Sequence, residues 1–128
     1  FLNPVKESYK RLGEKKAPKY VTWSHENRSQ LIRIPAVKNA ANKRIELRSP
    51  DPCANPYIAY ALIIYAGLDG IKRGLTPAAP LNVNLFTADG EVTDGLVSLP
   101  DTVEKAKSIA AHSEFIKGAL PAGFTESI

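Results

Sequence analysis

The sequence predicts an α+β fold, and three segments carry this prediction. Alternating side chains in residues 20–34 and in residues 43–48 are typical of strands, and an apolar stretch within residues 56–73 is typical of a helix. A second helical pattern covers residues 101–118. We therefore expect an antiparallel strand pair, a buried helix packed with it, and a C-terminal helical segment.

The strand pair is predicted by alternation and by the residues that interrupt it. Ile45 and Leu47 alternate with charged side chains, which gives the second strand one apolar and one polar face. The first run is best over Asn27–Ile34 and stops at Pro35, which has no N–H for the strand ladder. The connection between the runs is short and polar, which favours antiparallel pairing.

The long helix has recognisable ends. Asn55 is a good N-cap, Pro56 suits the first helical position, and Gly74 can adopt the left-handed conformation that follows a helix. Because Tyr57–Ala66 is apolar on all sides, we expect the helix to be covered on most sides.

The C-terminal helical segment is expected to begin near Asp101, which with Glu104 resembles a capping box, and to restart at Ser113. Between the two helical regions, residues 75–99 contain prolines and glycines with little periodicity, which predicts a loop.

Length and composition limit the possible classes of protein. The 128 residues carry a formal net charge of +4, which is a mild bias toward anionic partners. The longest apolar run is far shorter than the ~20 residues that a membrane span needs. A single cysteine, Cys53, permits no internal disulfide and favours a cytoplasmic setting. The chain begins at Phe1 and has no methionine, so it is interpreted as an interior piece of a longer protein.

Charged side chains on the predicted strands are the main candidates for chemistry. Arg44, Glu46 and Arg48 alternate, so a carboxylate would lie between two guanidiniums, each ~7 Å away. One interpretation is a salt-bridged solvent face. The other is a site in which Glu46 binds a divalent cation, the arginines bind anionic groups, and Arg28 and Arg33 approach from the first strand.

Other catalytic signatures are weak. His25 and His112 are far apart and show no metal-ligand spacing, and Cys53 has no neighbouring histidine to activate it. No glycine-rich phosphate loop is present in the sequence. These observations disfavour the common thiol, zinc and dinucleotide sites.

Several blocks then match a known family in order and spacing. These are Ser8–Leu12, Ala17-Pro18, Asn27–Pro35, Arg44–Asp51 and Asn55–Ile71. Together they resemble the catalytic domain of glutamine synthetase. The resemblance implies formation of glutamine from glutamate, ammonia and ATP through a γ-glutamyl phosphate, with Mg²⁺ or Mn²⁺. It also implies a cytoplasmic homo-oligomer, a ring-type dodecamer in the full-length family, with no nucleic-acid or membrane partner.

The resemblance also assigns roles to individual residues. Arg11 and Arg48 correspond to the arginines that hold glutamate. The ATP-binding positions correspond to Arg28, Arg33 and Arg44. Arg28, which faces the transferred phosphoryl group, is the predicted catalytic residue, and Glu46 corresponds to a ligand of the divalent metal.

The resemblance further implies that residues 1–128 form a single partial domain, the C-terminal part of the catalytic domain. An upstream N-terminal domain and the first half of the catalytic domain would be absent. The remaining metal ligands, several Glu and one His, would come from upstream strands, and a neighbouring subunit would complete the site. We therefore expect the 128-residue chain alone to be inactive.

Two departures from the family pattern keep alternatives open. Glu7 stands where the family usually has Asn, and Lys16 stands where a Glu on the flap helps to deprotonate ammonium, although Glu14 could substitute. The parent protein could instead join glutamate to another amine, like γ-glutamylpolyamine synthetases, or be a non-catalytic relative. A nucleic-acid-binding module is disfavoured because the three tyrosines of the long helix are expected to be buried.

Overall fold

A computed structural model describes residues 1–14 and 17–124. Five helices occur within these residues: α1 (Lys6–Tyr9), α2 (Pro56–Lys72), α3 (Gly90–Thr93), α4 (Val103–His112) and α5 (Glu114–Ala119). The three strands are β1 (Trp23–His25), β2 (Ile32–Ile34) and β3 (Glu46–Leu47), and a 3₁₀ turn covers Ala40–Asn42. The predicted α+β class is confirmed.

The sheet has the order β1-β2-β3. β2 and β3 are antiparallel, as predicted, with Ile32 opposite Leu47 and Arg33 opposite Glu46. β1 is parallel to β2, with Ser24 opposite Arg33. This register places charged residues of two neighbouring strands directly across from one another, which positions the candidate site.

The predicted first strand is wrong in its extent. Residues 20–34 contain two short strands separated by a turn, and only the second of them, β2, pairs with β3, through Ile32 and Arg33. Glu26 adopts a positive φ of 62°, which ends the extended backbone of β1. The Asn27 side chain then accepts a hydrogen bond from the Ser29 N–H at 2.9 Å, so Arg28 lies in a turn and not on a strand face.

The long helix lies where the sequence predicts it. The Asn55 side chain accepts hydrogen bonds from the N–H groups of Tyr57 and Ile58 at 3.0 and 3.4 Å. α2 ends at Lys72, and Gly74 has a φ of 61°. Both helix ends are therefore stabilised by residues next to the helix in sequence.

The expected burial of this helix is wrong for the chain described here. Within α2, only Ala59 and Leu62 are buried, whereas the side chains of Tyr57 and Ile71 are 85% and 80% exposed. α5 packs against α2, and so small a partner covers only part of a helix surface that is apolar on all sides. The exposed tyrosines also remove the argument from burial against nucleic-acid binding.

The C-terminal segment consists of two helices, with the predicted restart at Ser113. The cap of α4 differs from the prediction, because Thr102 accepts the Lys105 N–H at 3.2 Å. The Asp101 carboxylate instead forms an ion pair with the Lys105 ammonium at 2.8 Å. Thr102 has the extended backbone of an N-cap, and its hydroxyl oxygen is the one in reach of that amide.

The described chain divides into two compact units. The first contains residues 1–9, 50–77 and 100–124 and carries α1, α2, α4 and α5. The second contains residues 10–49 and 78–99 and carries the sheet and α3. The sequence predicts a loop over residues 75–99, yet this segment contains α3 and a β-bridge between Tyr20 and Ser98.

Two further predictions concern the loop near the N-terminus and the membrane. The predicted exposed loop at Lys15 and Lys16, including the Lys16 departure from the family pattern, lies outside the described residues. Within the part of the chain that the structure describes, no helix combines the length and apolar character needed to cross a bilayer.

We predict that Asn55→Ala lowers the free energy of unfolding by about 1 kcal/mol, because the first turn of α2 loses its side-chain acceptor. Asn55→Asp keeps the acceptor and should change stability little. Urea unfolding followed by circular dichroism measures both variants. Equal losses in the two variants would contradict the capping role.

Candidate functional site

The candidate site begins at the register between β2 and β3. Because Arg33 and Glu46 are directly opposite, their side chains share one face of the sheet. The Arg33 Nε donates to Glu46 Oε1 at 3.3 Å, and its Nη2 donates to Glu46 Oε2. This fork from one guanidinium to both carboxylate oxygens fixes the direction of each group.

Arg48 joins the pair from the position directly after β3, where its backbone N–H still donates to the Leu31 carbonyl oxygen at 2.9 Å. This bond continues the pairing by one residue, and the Arg48 Nη1 donates to Glu46 Oε1. Its Nε donates to the carbonyl oxygen of Arg28 at 3.0 Å. We call Arg33, Glu46 and Arg48 the arginine–glutamate cluster.

The cluster is partly shielded from solvent. The side chains of Arg33 and Arg48 are each 15% exposed, and that of Glu46 is 31% exposed. Hydrogen bonds from Arg33, followed by those from Arg48, lower the pKa of Glu46 from 4.5 to about 2. Glu46 is therefore a carboxylate throughout the neutral range, and it offsets one of the two adjacent positive charges.

Two other predicted arginines lie beside the cluster. Arg11 donates through Nη2 to the carbonyl oxygen of Ser49, the residue that follows Arg48. Arg28 is exposed, and its backbone is connected to the cluster through Arg48. The structure thus brings Arg11, Arg28, Arg33 and Arg48 to one end of the β2–β3 pair.

Arg44 is not part of this cluster, contrary to the expected Arg44, Glu46, Arg48 trio. Its Nη1 donates to the carbonyl oxygen of Asn42 at 3.3 Å. β3 begins only at Glu46, so the strand alternation that would align Arg44 with Glu46 does not extend back to it. Arg44 instead lines an open cavity of about 490 Å³ within residues 37–44. Two further cations, Lys38 and Lys43, line the same cavity.

The described residues do not form a divalent-metal site by themselves. No group of three or more His, Cys, Asp or Glu side chains that could hold a metal occurs within residues 1–14 and 17–124. Both oxygens of Glu46 accept hydrogen bonds from guanidiniums. A single carboxylate cannot complete the coordination of a divalent cation, so a metal at Glu46 would need ligands from elsewhere.

The histidines and the cysteine have other partners. His25 makes an edge contact with the Trp23 ring, and His112 Nδ1 lies 2.7 Å from the carbonyl oxygen of Ser108. Cys53 is exposed, and its hydrogen bond with Asp51 raises the pKa of the thiol. A raised pKa leaves less of the thiol as reactive thiolate near neutral pH.

Sequence analysis missed a set of buried polar side chains beside the cluster. Ser29 and Gln30 are 2% and 0% exposed, and Ser49 is 5% exposed. Ser29 and Gln30 are consecutive, so a strand with one face in solvent would expose one of them, whereas the turn found here buries both. The unbroken polar run after Asn27 was the available signal for that turn.

Comparison with known proteins places these features in context. The family described as "Glutamine synthetase, catalytic domain" matches residues 1–128. The chain belongs to the glutamine synthetase family. Glutamine synthetases are ligases, so this is an enzyme family.

Individual relatives agree with this assignment. Glutamine synthetases of Methanosarcina mazei, Staphylococcus aureus and Clostridium saccharobutylicum are 50%, 46% and 43% identical to the chain over 121 residues. Each match covers 92% of this chain and 27% of the relative. The chain therefore spans about a quarter of the length of these glutamine synthetases.

A solved structure shares the fold of the chain. It is a GmaS/ADP complex in its conformation 1, with a TM-score of 0.80 and 30% sequence identity. The match covers 98% of this chain and 30% of the other chain. The small sheet and its helices thus recur within a considerably longer protein.

We predict a specific pH dependence for the arginine–glutamate cluster. Because folding lowers the pKa of Glu46 to about 2, the stabilisation that Glu46 provides is complete above its ordinary value of 4.5 and is lost as the pH falls toward 2. Glu46→Gln should lower the free energy of unfolding by about 1–2 kcal/mol at pH 7, a range reduced for partial solvent access.

Urea unfolding of wild type and Glu46→Gln at several pH values between 7 and 2.5 measures this difference, which should shrink toward the acid end. Glu91→Gln, an exposed change outside the cluster, is the matched control and should show no such trend. A difference between wild type and Glu46→Gln that does not depend on pH would contradict the ion-pair account.

We also predict that Asp51→Asn makes Cys53 more reactive. Removing the carboxylate lowers the pKa of the thiol toward its ordinary value, so alkylation at pH 8 should become a few-fold faster. The control is Asp69→Asn, because Asp69 pairs with Arg73 and should leave the rate unchanged. Slower alkylation of Asp51→Asn would show that the direction of the pKa shift is wrong.

Proposed function

We propose that this chain is part of an ATP-dependent glutamate–ammonia ligase that forms glutamine through a γ-glutamyl phosphate. The arginine–glutamate cluster is the observation that carries the proposal. It holds two guanidiniums in fixed directions on one sheet face, with Arg11 and the Arg28 turn connected to residues beside them. The family membership supports the class of reaction, and the ADP complex of the similar structure supports a nucleotide substrate.

The proposed reaction moves negative charge between anionic partners. The terminal phosphoryl group of ATP passes to the side-chain carboxylate of glutamate, and ammonia then displaces phosphate from the acyl phosphate. Fixed guanidiniums stabilise the charge on the transferring phosphoryl group and hold two anions together despite their repulsion. Arginine suits this task because it stays charged and binds phosphate or carboxylate with two hydrogen bonds.

We assign the individual roles as the family resemblance implies. Arg11 and Arg48 bind glutamate, and Arg28 contacts the transferred phosphoryl group. ATP phosphates are contacted by Arg28, Arg33 and Arg44. Arg33 and Arg48 share the carboxylate of Glu46, so a phosphate and a glutamate carboxylate held by them would lie side by side.

The complete site needs groups beyond these 128 residues. We propose that Glu46 is one ligand of Mg²⁺ or Mn²⁺ and that the other ligands lie in parts of the protein outside this chain. The described residues form no such metal group alone, and the chain spans only 27% of its glutamine synthetase relatives. The 128-residue chain by itself should therefore release no phosphate in a glutamate-dependent assay. The active form would be a cytoplasmic homo-oligomer, a ring-type dodecamer.

A second candidate is a ligase that joins glutamate to a larger amine. The observation that favours it is Lys16, which occupies the position of a Glu that the family uses toward ammonium. A lysine cation repels ammonium and cannot act as its base at neutral pH. Product formation with ammonium, methylamine and polyamines, compared in the complete protein, separates the two candidates.

We predict opposite kinetic effects for Arg11→Lys and Arg44→Lys in the complete protein. Lysine keeps the positive charge but cannot form the bidentate hydrogen bonds of a guanidinium. The KM for the substrate that the arginine binds should therefore rise about tenfold. Arg11→Lys should raise the KM for glutamate and leave that for ATP unchanged, and Arg44→Lys should do the reverse. If both changes affect the same substrate, the role assignment is wrong, and if wild type forms no γ-glutamyl product from any amine, the function is wrong.

A further inference from the structure

The turn that carries Arg28 is attached to the distant residue Val83 through one backbone carbonyl. Three side-chain groups lie within hydrogen-bond distance of this oxygen: Asn27 Nδ2 at 2.8 Å, Ser29 Oγ at 3.2 Å and Gln30 Nε2 at 2.9 Å. All three residues flank Arg28 in sequence. The attachment therefore holds the chain on both sides of the predicted catalytic arginine.

Ser29 gives the attachment a second point. Its Oγ accepts the backbone N–H of Leu85 at 2.9 Å and lies 2.8 Å from Asn27 Oδ1. The Ser29 hydroxyl has one hydrogen, which it can donate to either Asn27 Oδ1 or the Val83 carbonyl oxygen. A lone pair of the same oxygen accepts the Leu85 N–H. The turn is thus closed internally and also connected to two residues of the 83–85 segment.

Burial separates the anchoring groups from the functional group. Ser29 and Gln30 are almost completely buried, whereas Arg28 is exposed. On the other side of the turn, Arg48 Nε donates to the Arg28 carbonyl at 3.0 Å. The backbone of Arg28 is consequently fixed from two directions, and its guanidinium has less conformational freedom to lose when it binds a phosphoryl group.

We propose that Ser29 and Gln30 are positioning residues, which hold Arg28 toward the phosphoryl group by docking its turn on Val83 and Leu85. The inference rests on the proposed function and adds to it a specific source of preorganisation. The 83–85 segment, although irregular in structure, then contributes to phosphoryl transfer without contacting the substrate.

Gln30 allows the positioning role to be separated from stability. Its Oε1 is buried, and within the described residues it has no hydrogen-bond partner. Gln30→Met removes the bond to Val83 and also removes this unsatisfied oxygen, in a side chain of similar volume. Loss of the bond and relief of the buried oxygen act in opposite directions, so the free energy of unfolding should change little.

The experiment measures steady-state kinetics with ATP in the complete protein, for Ser29→Ala and Gln30→Met, each alone and combined with Arg28→Ala. Asn84→Ala is the matched control, because Asn84 lies in the same segment. Its side chain accepts the Phe86 N–H and has no described contact with the turn that carries Arg28. We expect kcat/KM for ATP to fall about five- to tenfold in each single variant. With Arg28→Ala present, neither change should cost more than about twofold further, because both act through Arg28.

Thermal unfolding of the same samples determines whether each variant is folded. If Ser29→Ala does not fold, Gln30→Met supplies the test. The inference is overturned if the losses in kcat/KM of the Ser29 and Gln30 variants multiply with the loss caused by Arg28→Ala. It is also overturned if Asn84→Ala lowers kcat/KM as much as Ser29→Ala does. A wild-type protein without ATP-dependent turnover overturns the proposed function and this inference together. Normal wild-type turnover with multiplicative losses overturns the inference alone.

Discussion

One carboxylate shared by two guanidiniums is the interaction on which the candidate site depends. Arg33 in β2 and Arg48 directly after β3 carry like charges, and without Glu46 between them they would repel each other. Glu46 is in turn placed by a register in which it faces Arg33 across the strand pair. The sheet is small, but a one-residue slip of β3 would turn Glu46 to the opposite face and separate the cluster.

Polar side chains make up much of the buried interior of the unit that carries the cluster. Among its described residues, the most deeply buried include Ser24, Ser29 and Gln30, with exposed fractions of 2% or less. Hydrogen bonds have directions and apolar contacts do not, so this interior specifies geometry more strongly than it contributes stability. Such an interior suits a site in which guanidinium directions matter.

Much of the fold could be predicted from the sequence where the controlling interactions are local. Asn55 and Pro56 define the start of α2 because a cap and a first-turn proline act on their immediate neighbours. The antiparallel pairing of β2 with β3 was also predictable, whereas the parallel pairing of β1 with β2 was not predicted. The turn at Glu26 was not, because a positive φ in a glutamate leaves no sequence signal comparable to that of glycine.

The site was predicted less completely, for a related reason. Alternation within one strand correctly paired Glu46 with Arg48, but it wrongly added Arg44, which precedes the strand. The second arginine that contacts Glu46 is Arg33, because the register of β2 and β3 places it opposite Glu46. That register depends on the contacts of the whole sheet. The anchoring of the Arg28 turn on Val83 joins residues more than fifty positions apart, which no local pattern reports.

The contrast between α2 and the sheet bears on the order in which the chain acquires structure. Every hydrogen bond of α2, including the caps at Asn55 and after Lys72, connects residues a few positions apart, so the helix can form on the submicrosecond timescale of local events. The arginine–glutamate cluster instead needs closure of the chain between Arg33 and Glu46, 13 positions apart, which has an entropic cost before any pairing compensates for it. The cluster therefore depends on less local contacts than α2 does, and pairing of this hairpin type takes about 1–10 μs, longer than helix formation.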